Sequence, residues 1–383
     1  MSGKIRVAIR SALLAAALGG SMVAAAATPA EQQAIVQTGN GGPEVLKLQT
    51  VPVLAPGAGE VLIRVYAASV NPIDWKIRQG MNGPPPAAGA DGGGAPGAGA
   101  QGAPAAAPAP AAPSARIPGF DVAGVVEKVG AGVTNVKPGD KVFATLGMSK
   151  GAGLNGGYAQ YAIAPAETVV AKPARLTFAE AAGLGTAGGT GARNLAGLGL
   201  SKGQTVLITG VSGGVGSSAA QVAIAQGVHV VGTASPRHAE FLKSIGVTDV
   251  LDYNQSDWAD KARAKGIDAV LDTVGGDSAK AAFGAIKKGG AYAGVGEPRT
   301  VTAEMCKSAG VSCVADGPGA RRSGPSQGDL LKQLADLAAA GKFAVHVQTR
   351  YPLAQAGAAQ EDNRSGHTEG KIVLAVTGQA DSK

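Results

Sequence analysis

The sequence predicts an α/β protein in two parts, a doubly wound parallel sheet in the second half of the chain and a mostly β domain ahead of it. Three observations carry the prediction. A short strand pattern at Thr205 to Thr209 runs straight into a glycine cluster and then a helix-forming segment. Further strand patterns alternate with helical ones as far as Val295. Before this region, stretches such as EVLIRVYAASV alternate apolar and polar residues, which marks half-buried strands.

The glycine-bearing stretch is QTVLITGVSGGVGSSAAQVAIAQG, Gln204 to Gly227. Thr205 to Thr209 is β-branched and aliphatic, as expected of a strand buried on both faces of a parallel sheet. Gly210, Gly213, Gly214 and Gly216 follow, then small and aliphatic residues up to Gly227, which suits a helix closed by a C-terminal glycine. In a strand–turn–helix of this kind one glycine permits backbone angles closed to other residues, and another lets the main chain approach a pyrophosphate. A third lets helix and strand pack closely. The phosphates would sit on free amides at the positive end of the helix.

Four more strands are predicted at Val228 to Thr233, Asp249 to Leu251, Asp268 to Thr273 and Ala291 to Val295. Helices are predicted around Ala239 to Ile245, Trp258 to Lys265 and Ala279 to Lys287. Such alternation builds a doubly wound parallel sheet and raises the glycine cluster from a common turn to a dinucleotide site. The end of the second strand selects the dinucleotide. An NAD site wants an acid there for the ribose hydroxyls, and an NADP site wants cations and hydroxyls for the 2′-phosphate. The residues are Thr233, Ala234, Ser235, Pro236, Arg237 and His238, with no acid before Glu240, so NADPH is favoured.

The 383 residues leave room for two domains, and 45% apolar composition supports buried cores. With 60 glycines, 22 prolines and only 4% aromatic residues, part of the chain must be low in complexity. The formal charge of +7 is small and scattered, which argues against nucleic acid. Residues 1–27 place Lys4, Arg6 and Arg10 before an apolar run and end in Ala24 to Ala27, the order of a secretory signal peptide. The apolar part is short for a membrane span. This predicts export to the periplasm, with a cytoplasmic location as the alternative, and it conflicts with NADPH being a cytoplasmic currency. From Gln33 the pattern is β-like through EVLIRVYAASV to NPIDWKIRQG. Residues 81–115 are almost wholly Gly, Ala and Pro and read as a disordered surface insertion. Folded patterning resumes with a strand at Val122 to Val129. Past the sheet domain, a helix is expected over Gly328 to Ala340, then strands at Phe343 to Tyr351 and Ile372 to Val376, while Arg321 and Arg322 read as a loop. The two cysteines, Cys306 and Cys313, are too few for a metal site or a disulfide framework.

Taken in order, VNPIDWKIRQG, IPGFDVAGVVEKVGAGVTNVKPGDKVFA, GGYAQYAIAPAETVVAKP, ITGVSGGVG, VLDTVGGD, IKKGGAYAGVG and GHTEGKIVL resemble the zinc-independent, quinone oxidoreductase-like branch of the medium-chain dehydrogenases/reductases. The likeness spans about residues 33 to 377 apart from the insertion. It implies a GroES-like domain over 31–165, a Rossmann domain over 166–310, a C-terminal segment, 311–383, returning to the first domain, and a homodimer. It places Asn71 and Asp74 on the nicotinamide side of the cleft and Thr190 near the nicotinamide or its phosphates. Gly213, Gly214, Val215 and Gly216 would lie under the pyrophosphate, Ser235 and Arg237 at the 2′-phosphate, and Tyr253 near the adenosine end. Gly294, Val295 and Gly296 would border the nicotinamide ribose, and Lys371 would close the site. Two departures stand out: the insertion falls beside the expected substrate mouth, and GLGTAGGTGARN, around Thr190, is richer in glycine than the family pattern.

Zinc-dependent relatives need cysteine and histidine ligands where this chain has Asn71, Phe120 and Asp121, and His229, His238, His346 and His367 are dispersed in sequence. No metal is therefore expected. Without a Lewis acid, acceptors that delocalise the incoming charge are favoured, namely quinones and α,β-unsaturated carbonyls. Hydrogen-bond donors would stabilise the developing oxyanion, with Asn71 and Lys76 the leading candidates. The expected function is thus an NADPH-dependent enoyl or quinone reductase acting on a small molecule. The competing reading is an NADPH-binding or sensing protein without turnover. A short-chain dehydrogenase is disfavoured because none of the six tyrosines has a lysine four residues on. A P-loop nucleotidase is disfavoured because the glycine turn lacks the required Lys and Ser/Thr.

Overall fold

The computed structural model describes residues 27–81, 115–147, 153–295, 300–314 and 324–383. The predicted signal peptide up to Ala26, the insertion from Asn82 to Ser114, Gly296, Arg321 and Arg322 lie outside the described residues. No helix among the described residues is long and apolar enough to cross a membrane.

The first part opens with an antiparallel pair, β1 (Glu31–Gln37) and β2 (Leu46–Pro52). It continues through β3 (Glu60–Val70), α1 (Pro72–Arg78), β4 (Asp121–Val129), β5 (Lys141–Thr145), β6 (Tyr161–Pro165) and β7 (Val169–Ala171). The long β3 is the hub of this sheet. It pairs with β4 along its length, with β6 through Glu60 to Arg64, and through Ala67 to Val70 with a strand from the far end of the chain. Its alternating apolar positions are closed to solvent: Val61, Ile63, Val65, Ala67 and Ala68 are all 0% exposed.

The second part follows α2 (Phe178–Ala182), a π-helical turn at Leu184–Gly188 and α3 (Gly189–Gly197). It runs β8 (Thr205–Ile208), α4 (Gly214–Ala225), β9 (His229–Ala234), α5 (Ala239–Ser244), β10 (Asp249–Asp252), α6 (Trp258–Ala264), β11 (Ile267–Asp272), α7 (Gly276–Phe283), β12 (Ile286–Gly294), α8 (Ala303–Ala309) and β13 (Ser312–Cys313). All pairs in this sheet are parallel, in the order β10-β9-β8-β11-β12-β13. This is the doubly wound arrangement, with strand order reversing between β8 and β11. Val206, Leu207 and Ile208 of β8 are 0% exposed, and full burial of each side chain contributes about 1.5–3 kcal/mol.

The chain closes with α9 (Gln327–Ala339), β14 (Val347–Pro352), α10 (Ala356–Arg364) and β15 (Lys371–Ala375). β15 pairs antiparallel with β3, Ile372 opposite Val70, so the C-terminus completes the first sheet. β7 joins the first sheet and β13 the second, so each sheet runs a strand past the limits drawn from sequence at 165 and 310.

The predicted strands of the second sheet form with ends shifted by a residue or more. One helix moves further: the segment expected at Ala279 to Lys287 is α7, which starts at Gly276 and ends at Phe283. Ile286 to Lys288 instead open β12, because Ile286 pairs with Ile267 and the lysines take exposed positions. Cys306 and Cys313 are joined by a disulfide, Cα atoms 5.9 Å apart, between α8 and β13.

Candidate active site

The crevice at the sheet's switch point is built from the turn between β8 and α4. Gly210 takes φ of 61°, a left-handed conformation that a Cβ would strain, and a Cβ there would also meet Thr273 Oγ1 at 2.8 Å. A Cβ on Gly216 would lie 2.4 Å from Gly210 O, so this glycine is required for the helix to start against the turn. Gly213 differs. A Cβ on it would meet nothing nearer than 3.4 Å, so nothing in the protein itself excludes a side chain. Gly213 is the N-cap of α4, in extended conformation and with no side-chain cap, so the first-turn amides of Gly214, Val215 and Gly216 are not satisfied by a capping side chain. These features fit a pyrophosphate: room for a ligand at Gly213, first-turn amides with no capping side chain and the positive end of a twelve-residue helix.

The neighbouring strand ends are tied to this turn. Gly210 N donates to Thr233 Oγ1 and Val211 N to Thr233 O, which bring the end of β9 beside it. Ser235 then begins a 3-10 turn carrying the exposed Arg237. Tyr253, just past β10, is 47% exposed and offers an open aromatic face. At the end of β11, Asp272 accepts from Thr209 Oγ1, from the Val274 and Gly275 amides and from Tyr292 Oη, so it fastens β8, β11 and β12 together at their carboxyl ends. Gly294 ends β12, and Val295 N donates to Asp272 O.

A single stretch of the C-terminal segment crosses this crevice. Arg237 Nη2 donates to His367 O, Gly370 N donates to Ser212 O, and Lys371 begins β15. A Cβ on Gly214 would lie 2.8 Å from Lys371 Cδ, so the lysine stem runs directly against the glycine turn.

From there Lys371 leads into a buried polar network. Its Nζ donates to Asn71 Oδ1 over 2.7 Å and to Val70 O over 3.0 Å. Asn71 Nδ2 donates to Asp121 Oδ2 over 2.8 Å, and Asp121 Oδ1 accepts from the Thr186 amide and hydroxyl and from Thr145 Oγ1. Asn71 is also the N-cap of α1, paired reciprocally with Asp74 in a capping box. Asp74 Oδ2 accepts from Asn71 N and Tyr158 Oη, while Oδ1 has no partner among the described residues. Asn71, Asp74, Asp121 and Lys371 are all buried. Burial pushes the Asp74 carboxyl up to about 7, against the lowering by the Asn71 amide and the Tyr158 hydroxyl. Burial likewise raises Asp121 and pulls the Lys371 amine down, while their mutual attraction opposes both shifts.

Asn71, Asp74 and Lys371 thus meet around the loop between β3 and α1. Lys76 contacts the Trp75 ring, with its ammonium 5.7 Å from the centroid. Thr190 lies in α3, its carbonyl accepting from Asn194 Nδ2; the threonine that joins the network is Thr186, which the sequence reading did not single out. Thr186 lies in the π-helical turn, whose geometry leaves its amide free for Asp121. The histidines, dispersed in sequence, partly converge: His238 Nδ1 lies 2.6 Å and His346 Nε2 3.1 Å from the two carboxylate oxygens of Glu369. Among the described residues no group of three or more His, Cys, Asp or Glu side chains could hold a metal ion.

Comparison with known proteins agrees with this architecture. Residues 57–174 match the family model described as alcohol dehydrogenase GroES-like domain, and residues 245–374 match the one described as zinc-binding dehydrogenase. A chloroplastic quinone oxidoreductase of Triphysaria versicolor is 32% identical over 348 residues, 87% of this chain and 95% of that relative. An NADPH-dependent alkenal/one oxidoreductase from Arabidopsis thaliana chloroplasts is 30% identical over 365 residues, covering 92% of this chain and 82% of that protein. The solved structure of a quinone oxidoreductase from Coxiella burnetii superposes with a TM-score of 0.72 at 30% identity, over 91% of this chain and all of that one.

Proposed function

The chain belongs to the quinone oxidoreductase-like branch of the medium-chain dehydrogenases/reductases, and from that premise we propose that it is a zinc-independent reductase using NADPH to reduce a quinone or an α,β-unsaturated carbonyl. The observation that carries the NADPH reading is the pairing of an uncapped helix N-terminus at Gly213 to Gly216 with an exposed Arg237 at the end of the neighbouring strand. Gly214, Val215 and Gly216 would hold the pyrophosphate through main-chain amides, and Ser235 and Arg237 the 2′-phosphate. Tyr253 would cover the adenine, and Gly294 to Gly296 would leave room for the nicotinamide ribose. The bound NADPH supplies a hydride; everything else falls to the protein.

Asn71 is the group proposed to bind the substrate oxygen. Lys371 donates to its carbonyl oxygen, which draws electron density from the carboxamide and makes the remaining amide hydrogen a stronger donor. The buried ammonium therefore polarises the donor that receives the developing negative charge. Lys76 is proposed as a second donor at the substrate mouth, and Asp74 holds Asn71 in place through the capping box. Residues 1–27 are proposed to direct export. The Cys306–Cys313 disulfide supports this reading, since an oxidising compartment preserves such bonds.

The test is the rate of NADPH oxidation with a panel of quinones, enones and simple aldehydes. Turnover of quinones or enones, faster with NADPH than NADH and unaffected by chelators, is expected. Equal use of NADH, or loss of activity on chelation, overturns the reading. Fractionation of the expressed full chain tests export, which predicts a mature N-terminus near Thr28.

A further inference from the structure

We propose that Glu369 is a positioning residue for Arg237, acting through His238, and so sets the preference for NADPH over NADH. The proposal rests on the NADPH reading and concerns how its phosphate-binding arginine is held.

The hydrogen bonds fix one arrangement. Arg237 Nε lies 3.0 Å from His238 Nε2, and a guanidinium can only donate, so that ring nitrogen must carry a bare lone pair. The proton of the neutral ring then sits on Nδ1, which lies 2.6 Å from Glu369 Oε2, an acceptor. Glu369 thereby selects the tautomer in which His238 can receive Arg237. His238 is only 7% exposed, so it cannot swing away freely. The carboxylate is itself anchored: its other oxygen faces His346 Nε2 at 3.1 Å, and its amide donates to Gln348 Oε1. Arg237 has a second point of attachment in the same segment, from Nη2 to His367 O at 3.3 Å.

Two consequences follow. An exposed arginine must surrender rotamer freedom to close on a phosphate, and one already held by Nε and Nη2 surrenders less. Arg237 is exposed, and its Nη1 has no hydrogen-bond partner among the described residues. An acidic side chain near this position would favour NADH if its oxygens were free for ribose hydroxyls. Both oxygens of Glu369 are turned to histidine rings instead.

The test is steady-state kinetics with NADPH and NADH for the parent, Glu369→Ala, Glu369→Gln, His238→Phe, Arg237→Ala and Arg237→Ala/Glu369→Ala. Glu369→Ala is expected to raise KM for NADPH about tenfold, the scale of one hydrogen bond to a charged group, with the loss in KM rather than kcat and little change for NADH. Glu369→Gln, whose side-chain oxygen still accepts from His238 Nδ1, should retain most of the preference. His238→Phe keeps the ring volume and should show the same NADPH-selective loss if Glu369→Ala folds poorly. The double variant should be no worse than Arg237→Ala. A parent that prefers NADPH, with Glu369→Ala and His238→Phe unchanged or impaired equally with both dinucleotides, overturns this proposal alone. A parent that uses both dinucleotides equally overturns the NADPH reading and this proposal with it.

Discussion

Lys371 Nζ donates to Asn71 Oδ1 over 2.7 Å, across 300 positions of sequence. The contact joins the first residue of β15 to the turn between β3 and α1, and the lysine stem passes against Gly214 on the way. A single side chain therefore connects the nucleotide turn to the network that positions Asn71. Lys371→Met preserves the stem but leaves Asn71 Oδ1 and Val70 O without this donor and Asp121 without its counter-charge. Leaving a buried acceptor without its donor typically costs about 1–3 kcal/mol. Urea denaturation should register a loss of that order, with kcat falling more than KM for NADPH rises.

The glycine turn separates packing from binding. Gly216→Ala would drive a Cβ to 2.4 Å from Gly210 O, and overpacking of this kind costs about 1–3 kcal/mol, visible as a lowered Tm. Gly213→Ala meets nothing nearer than 3.4 Å, so its Tm should stay near the parent's while NADPH affinity falls by about tenfold or more, as a methyl group enters the phosphate space. Fluorescence titration with NADPH beside thermal melts distinguishes the two.

Asp74 gives stability a dependence on pH. Its carboxyl is raised by burial to about 7 from the ordinary 3.8 of a free aspartate, so between these values the folded protein keeps a proton that the unfolded chain has released. Its contribution is complete below the unfolded value and is lost as pH rises through the folded one, at most about 1.4 kcal/mol per unit. Asp74→Asn cannot titrate and places an amide nitrogen where Oδ1 has no partner among the described residues. Denaturation at intervals from pH 5 to 8 should show parent stability falling relative to the variant up to about pH 7 and running parallel above it.

Thr186 donates twice to Asp121 Oδ1, through its amide and its hydroxyl, each over 2.8 Å. Thr186→Val keeps the shape and removes the hydroxyl, leaving a buried carboxylate short of one donor at a cost of about 1–3 kcal/mol. Thr186→Ser restores the donor and should recover most of the loss in the same denaturation experiment.

Much of the second sheet was legible because strand, glycine turn and helix are encoded within some twenty contiguous residues, Gln204 to Gly227. Gly210 and Gly216 have roles imposed by local geometry, which sequence spacing alone can suggest. Helix ends were less legible: α7 stops at Phe283 because Ile286 finds Ile267 on β11, a partner that its own neighbours in sequence do not reveal. The role of Thr186 was not legible because nothing in GLGTAGGTGARN indicates a π-helical turn, the turn in which the Thr186 amide meets Asp121.

By itself the sequence determined the parallel sheet, its glycine turn and the absence of an acid at the end of β9, since these depend on residue type, spacing and backbone sterics over short stretches. Tertiary structure alone decided that residues 367–371 cross the crevice, that His238 and His346 share Glu369, and that Lys371 lies behind Asn71. Those are contacts between side chains more than a hundred positions apart or, for His346 and Glu369, between segments brought together when β14 and β15 pair. Burial then shifts Asp74, Asp121 and Lys371 toward their neutral forms, an effect that exists only once water has been excluded around them.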